Sequence, residues 1–316
     1  MSTRKTALVT GAEGFIGSHL VRFLQGKGWR TIGSYLTAKN PFPSAPNLTF
    51  VQCDLRNGQR VSQVISEYEP THIFHLGAQS LPTLSWSDPV RTFEANVIGS
   101  SYLFQAVRYM KRPATVVSAC SSAEYGHVPA SAIPVKEEQS LRPVHPYGIS
   151  KVCLDLLARE YFLDYGIPIV NLRLFNTTGP GKTEDAPSDF VRQLVRIRKG
   201  LQPPVVEVGN LKPRRAFLDV RDTVRGFYLA ALRGTRGEAY NLCATSTHEV
   251  GDLLRKAIKL SGVKAEIKPV ERLMRPSDEK IIFGDTGKFR KATGWEPKYS
   301  IEQTLSSMIS HWNENL

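Results

Sequence analysis

The chain has 316 residues, 41% of them hydrophobic and 22% charged, enough to bury a core without staples and incompatible with wholesale disorder. Its net charge of +12 favours an anionic partner, but the densest basic stretches, Arg192–Lys199 and Lys212–Arg215, lack the interleaved aromatics of a nucleic-acid platform, so no nucleic acid is expected. No apolar run approaches the roughly 20 residues of a membrane span, the four cysteines form no C-x-x-C and the seven histidines no H-E-x-x-H, so a cytoplasmic protein with no membrane and no metal is expected.

Thr6–Thr10 reads as a buried strand ending in glycines. Phe15, Ile16, Leu20, Phe23 and Leu24 then share one face of a helix that stops at Gly26 and Gly28. Thr31–Ser34 and Leu48–Cys53 are strands, Val61–Tyr68 a helix, His72–Leu76 a strand and Phe93–Tyr109 a long helix. Ala114–Ser118 is a strand, Pro146–Tyr165 a helix and Pro168–Phe175 a strand. Such alternation predicts an α/β fold, a Rossmann-type doubly wound parallel sheet with helices on both faces.

After residue 176 the loops lengthen and arginine rises. Two capping boxes predict helices there, Ser246–Glu249 before Val250 and Ser300–Gln303 before Leu305. Residues 1–176, with returns at about 214–242, are expected to form the dinucleotide-binding domain. Residues 177–213 and 243–316 are expected to form a smaller C-terminal lobe for substrate.

Gly11-x-x-Gly14-x-x-Gly17 sits between the first strand and the first helix. Glycines there allow a tight turn and close approach of a pyrophosphate, and the helix N-terminus supplies free N–H groups. Asp54 and Leu55 follow the third strand, where an acid can meet the adenine edge. The end of the second strand, Gly33–Lys39, has no acid for the ribose hydroxyls, while Ser34 and Lys39 suit a 2′-phosphate. NADP(H) is therefore expected, with NAD(H) as the alternative.

Tyr147 and Lys151 are spaced i, i+4 in a helix-forming stretch, so they share one face. A neighbouring ammonium lowers a phenol's pKa towards the range a general acid or base needs. Tyr35 and Lys39 have the same spacing but lie in no helix-forming stretch. Ser121 and Ser122 lie just after the fifth strand, where hydroxyls at the C-terminal edge of a parallel sheet face the ligand crevice.

The glycine loop, Ser121-Ser122-x-x-Tyr125-Gly126 and Tyr147-x-x-x-Lys151, in this order, resemble the extended short-chain dehydrogenase/reductase superfamily over nearly the whole chain. His75–Gln79, Asn96–Gly99 and Arg173–Asn176 stand in that family's places. The resemblance implies a catalytic set of Ser121, Tyr147 and Lys151, with Ser122 as helper. It implies cofactor contacts from Gly11, Gly14, Phe15, Ile16, Gly17, Leu76, Ala78, Asn96, Tyr147 and Lys151. Asn176–Gly181, Val208–Asp222 and Arg275–Asp278 resemble the GDP-mannose branch. That implies Asn176, Arg192, Arg215 and Arg275 near a substrate diphosphate, Asp278 on the guanine edge, and substrate contacts from Gln79, Ser80, Trp86 and Asn210. Arginine forks suit phosphates, and a carboxylate accepts two N–H groups from guanine.

Dehydratases of the branch carry an acid two positions before the Tyr of the Tyr-Gly pair, after a Thr; this chain has Ala123 and Ser121 there. Glu124 stands one residue along and is the one candidate for the missing acid. Ala216 departs from the branch, which usually has an acid after Arg215. The expected function is NADPH-dependent reduction of the 4-keto group of a GDP-4-keto-6-deoxyhexose. The alternatives are a nucleotide-sugar 4,6-dehydratase or epimerase and, remotely, a non-catalytic dinucleotide-binding module. A homodimer or dimer of dimers is expected, seamed by the helices of Phe93–Tyr109 and Pro146–Tyr165.

Overall fold

A computed structural model of the protein describes residues 5–37, 45–274 and 281–316. In chain order the elements are β1 (Thr6–Thr10), α1 (Phe15–Gly26), β2 (Arg30–Tyr35), β3 (Leu48–Gln52), α2 (Gly58–Tyr68), β4 (His72–His75), α3 (Pro82–Ser87), α4 (Pro89–Phe93), α5 (Gly99–Arg108), β5 (Thr115–Ser121), α6 (Pro146–Tyr165) and β6 (Ile169–Leu174). There follow β7 (Thr177–Thr178), α7 (Ala186–Arg198), β8 (Val205–Val208), β9 (Arg214–Arg215), β10 (Leu218–Asp219), α8 (Val220–Arg233), β11 (Ala239–Leu242), β12 (His248–Glu249), α9 (Val250–Ser261), β13 (Glu266–Pro269), β14 (Ile281–Ile282), α10 (Gly287–Thr293) and α11 (Ile301–Asn315).

Seven strands in the order β11-β6-β5-β4-β1-β2-β3 pair in parallel throughout. This is the doubly wound arrangement expected from the alternation. The order reverses between β1 and β4, so the ligand crevice opens where Gly11 and Gly77 follow those strands. One face of the sheet is covered by α1 and α8, burying Leu20, Leu24 and Phe227. The other is covered by α2, α5 and α6, burying Val64, Phe104 and Leu154. A separate core of Leu194, Val206, Leu254, Leu305 and Met308 joins α7, β8, α9 and α11. Each such side chain contributes about 1.5–3 kcal/mol on burial. Among the described residues, no helix is long and apolar enough to cross a membrane.

Three expectations change. The helix expected over Phe93–Tyr109 begins earlier, at Pro89, and its backbone stays helical to Arg108 but widens into a π-turn over Glu94–Ile98 between α4 and α5. That widened turn carries Asn96, whose side chain is bonded on both sides. The strand expected to stop at Ser118 runs on to Ser121, because Cys120 and Ser121 pair with Arg173 and Leu174 of β6. The Ser300 capping box forms, but the Ser246 box does not. His248 and Glu249 pair with β9 instead, and the first N–H groups of α9 donate to the carbonyls of Pro213 (3.0 Å) and Leu211 (2.9 Å). Backbone acceptors there replace the cap.

Candidate active site

The glycine loop turns at Gly11, whose φ is +65°. A side chain at Gly11 would place its Cβ 2.8 Å from Gly77 Cα, and one at Gly17 would lie 2.1 Å from Gly11 O. Only glycine permits this packing. No side chain caps α1, which begins at Phe15. Its N-terminus opens into a cleft of about 550 Å³. One continuous cavity is bordered by Gly11, Gly14, Phe15, Ile16 and Gly17 at one end and by Ser121, Ser122, Tyr147 and Lys151 at the other. Ser34, Asp54, Leu55, Leu76, Ala78, Gln79, Ser80 and Asn176 also border it.

The first turn of α6 carries Tyr147. Pro146 starts the helix and the His145 ring caps it, Nδ1 accepting from the Gly148 N–H at 2.9 Å. Ser121 ends β5 and forms a capping box with Glu124. The Ala123 N–H donates to Ser121 Oγ at 3.2 Å, and the Ser121 N–H donates to Glu124 Oε1 at 2.7 Å. Burial pushes the Tyr147 phenol up to about 12, against the downward pull of its hydrogen bond with Ser121. Lys151 is buried and donates from Nζ to Ala119 O at 2.7 Å. Burial lowers its pKa, and its Nζ sits 5.9 Å from the Tyr147 ring centroid. The expected lowering of the phenol by that ammonium is thus not what this geometry produces: Nζ is turned to the strand carbonyl, and desolvation of the phenol wins.

Glu124 does not border the cleft. It is fully buried beneath Ser121, with Oε2 3.2 Å from Arg173 Nε. Arg173 also donates to Asp155 Oδ2 at 2.8 Å and to the Tyr125 hydroxyl at 3.0 Å. Burial and the Asp155 charge raise the Glu124 pKa, outweighing Arg173. As a catalytic acid Glu124 is therefore corrected: a one-residue offset from position 123 turns it into the protein. Cys120, Glu124 and Asp155 bring three ligand-type atoms within 4.8 Å of one another, but the Arg173 guanidinium already supplies the positive charge there.

Asn96 is a second correction. Its Oδ1 accepts from the Gln79 N–H at 2.7 Å and its Nδ2 donates to Gln79 O and Ser150 Oγ, both at 2.9 Å. It braces the cleft wall from behind and leaves no free amide group for a cofactor. Gln79 borders the cleft, but its side chain is spent on Leu81 and Thr92. Asp54 is gripped by Arg56 through Nε (3.1 Å) and Nη2 (2.7 Å), and that bond holds its carboxyl below the usual range.

The expected substrate residues are only partly brought together. Asn176 and Ser80 border the cleft; Trp86, Arg192, Asn210 and Arg215 do not. Trp86 is exposed on α3. Arg192 lies on the Trp312 ring, 5.2 Å from its centroid. Asn210 Oδ1 accepts from the Lys212 N–H at 3.1 Å, and Arg215 donates to Arg214 O at 2.9 Å. Lys39, Arg275 and Asp278 lie outside the described residues. The cleft also takes in Glu13, Arg91 and Lys182, which the sequence reading passed over because no spacing rule points to a lone charged loop residue.

The family described as GDP-mannose 4,6 dehydratase matches residues 8–308. The chain belongs to that family. It is 28% identical over 309 residues to a GDP-6-deoxy-D-mannose reductase of Pseudomonas aeruginosa, covering 98% of this chain and 97% of that one. The solved structure of RMD from Pseudomonas aeruginosa complexed with NADPH superposes with a TM-score of 0.87 at 27% identity, covering 99% of this chain and 100% of the other. A Thermus thermophilus UDP-glucose 4-epimerase in complex with NAD superposes with a TM-score of 0.86 at 27% identity, covering 98% and 100%. The proteins this chain resembles therefore include reductases, dehydratases and epimerases on one fold, and the site has to separate them.

Proposed function

We propose that this protein reduces the 4-keto group of a GDP-4-keto-6-deoxyhexose with a nicotinamide dinucleotide as hydride donor. One observation carries the choice. The acidic side chains bordering the cleft are Glu13 and Asp54, both near the glycine loop and the end of β3. Among the described residues no carboxylate borders the Ser121–Tyr147 end, where a dehydratase needs an acid to remove water. A proton donor is all that a ketone reduction asks of that end.

The residues fit the cofactor. The uncapped helix N-terminus and the Gly11–Gly77 contact suit a pyrophosphate, and the cleft extends from there to Tyr147. When bound, the reduced dinucleotide supplies the hydride that C4 receives. Tyr147 donates its phenolic proton to the alkoxide oxygen forming at C4. Its raised pKa keeps that proton in place near pH 7, which suits an acid better than a base. Ser121 donates a hydrogen bond to the same oxygen, with Ser122 beside it. Lys151 holds the cofactor ribose and its charge favours the developing alkoxide. Asn176 meets the substrate diphosphate, and Arg275 and Asp278 remain the candidates for the diphosphate and the guanine edge. The Pseudomonas structure carries NADPH and the Thermus one NAD, so the relatives support a nicotinamide dinucleotide, and for NADP(H) in particular only the Pseudomonas structure speaks. This chain adds little to it, since Ser34 is 2% exposed and Lys39 lies outside the described residues.

All four cysteines are free, which suits the reducing cytoplasm proposed as its location. A homodimer is proposed on a stripe of α6 spaced seven residues apart, Ile149, Leu156 and Leu163, exposed by 42%, 56% and 59%.

Absorbance at 340 nm tests the activity. Loss of reduced cofactor with GDP-4-keto-6-deoxymannose, cut at least about 100-fold in kcat by Tyr147→Phe, is the expected result. A 4-keto product formed from GDP-mannose alone would instead make the protein a dehydratase.

A further inference from the structure

Glu13 stands between the first two glycines of the loop, and nothing in the reaction above uses it. Its carboxylate is held against the end of β2. Oε1 accepts from the Leu36 N–H at 2.9 Å, and Oε2 accepts from the Thr37 N–H at 3.4 Å and the Thr37 hydroxyl at 2.8 Å. The Ala12 N–H beside it donates to Ser34 O at 2.9 Å, so the backbone also ties the loop to the strand end. Glu13, Ser34, Tyr35 and Leu36 all border the cleft.

In a doubly wound sheet the end of the second strand faces the adenosine ribose of a bound dinucleotide. An acid at that point accepts from the ribose hydroxyls, and it normally comes from the strand end itself. Tyr35, Leu36 and Thr37 supply none. The glycine loop delivers one to the same place from 23 or 24 residues upstream, an arrangement visible only once the loop and β2 are brought together.

We infer that Glu13 discriminates at the adenosine ribose, so that the chain binds NAD(H) in preference to NADP(H). The inference rests on the dinucleotide reading of the cleft. A 2′-phosphate carries about 1.5 to 2 negative charges at neutral pH. It would lie beside the Glu13 carboxylate and find the Leu36 and Thr37 donors already engaged. The unmodified 2′-hydroxyl donates to that carboxylate without displacing it. Like-charge repulsion at such a partly exposed site is worth on the order of tenfold in affinity. Removing the charge releases the donors to the phosphate. This reverses the preference expected from Ser34 and Lys39, which considered only the strand's own residues.

The test is direct binding by the full chain, without turnover. NADH and NADPH are titrated against tryptophan fluorescence in the wild type, Glu13→Gln and Glu13→Ala. The expected result is tighter NADH than NADPH binding in the wild type. In both variants the NADH-to-NADPH affinity ratio falls about tenfold, mostly through tighter NADPH. Wild type that favours NADPH, or a ratio that neither variant moves, overturns the role of Glu13 and leaves the reductase reading standing. Absence of binding by either dinucleotide to the folded protein overturns both.

Discussion

Glu124 illustrates how one residue's offset decides its chemistry. Position 123, where the branch's dehydratases carry their acid, is only half-buried; at 124 the carboxylate is fully buried and faces Arg173 and Asp155. Two carboxylates share one guanidinium there, and burial leaves the Glu124 pKa raised. A carboxyl whose folded pKa exceeds its unfolded value stabilises fully below the unfolded value. That stability is lost as pH rises towards the folded value. Glu124→Gln keeps an acceptor for the Ser121 N–H and removes the charge. Its stability relative to wild type should therefore grow between pH 5 and pH 8, by at most about 1.4 kcal/mol per unit. Urea denaturation of both proteins at the two pH values checks this, and parallel curves would refute it. Tyr147 makes a related point. Its neighbour Lys151 was legible from spacing, but the direction of the ammonium was not, because the carbonyl of Ala119 that holds it comes from a strand 32 residues upstream.

At the scale of elements, local signals worked where the chain had no competing partner. Ser300 and Gln303 cap α11 as their spacing implies, with Oγ of Ser300 accepting from the Gln303 N–H at 3.2 Å. The same pattern at Ser246 failed because β9 and the 211–213 segment offered backbone partners that a four-residue motif does not contain. Ser300→Ala should thus cost about 1 kcal/mol and Ser246→Ala only a few tenths, measured by thermal or urea unfolding. Equal costs would contradict the distinction. Helix α7 was missed despite an Asp185 cap that accepts from the Ser188 N–H at 2.8 Å. Its arginines read as a charge cluster, and its buried face of Phe190, Val191, Leu194 and Val195 packs mainly against α9 and α11 from much later in the chain, with a smaller contact to β8.

At the scale of the whole molecule, the exposed stripe of α6 is joined by further exposed apolar side chains, Ile98, Tyr102 and Tyr109, on and next to α5, a helix that packs against α6. Large apolar side chains at this density are disfavoured on a lone subunit's surface. Leu156→Glu with Leu163→Glu should convert a dimer of about 70 kDa, twice the 35.2 kDa chain, into monomer in sedimentation, with the fold retained. A wild type that sediments as monomer at micromolar concentration would dispose of the dimer.

The sequence by itself determined the alternation that builds the parallel sheet, the glycine turn, and the order of Ser121, Tyr147 and Lys151. These signals are local: periodicity, turn chemistry and i, i+4 spacing lie within one segment, and the strand order of a doubly wound sheet follows from connecting such segments. Tertiary structure alone decided which charged groups face the cleft. It turned Glu124 inward onto Arg173, spent Asn96 and Gln79 on the cleft wall, and laid Glu13 across to β2. Where a carboxylate points depends on which distant donors and charges meet it, since burial without a partner is costly, and those partners are set by packing between segments far apart in the chain.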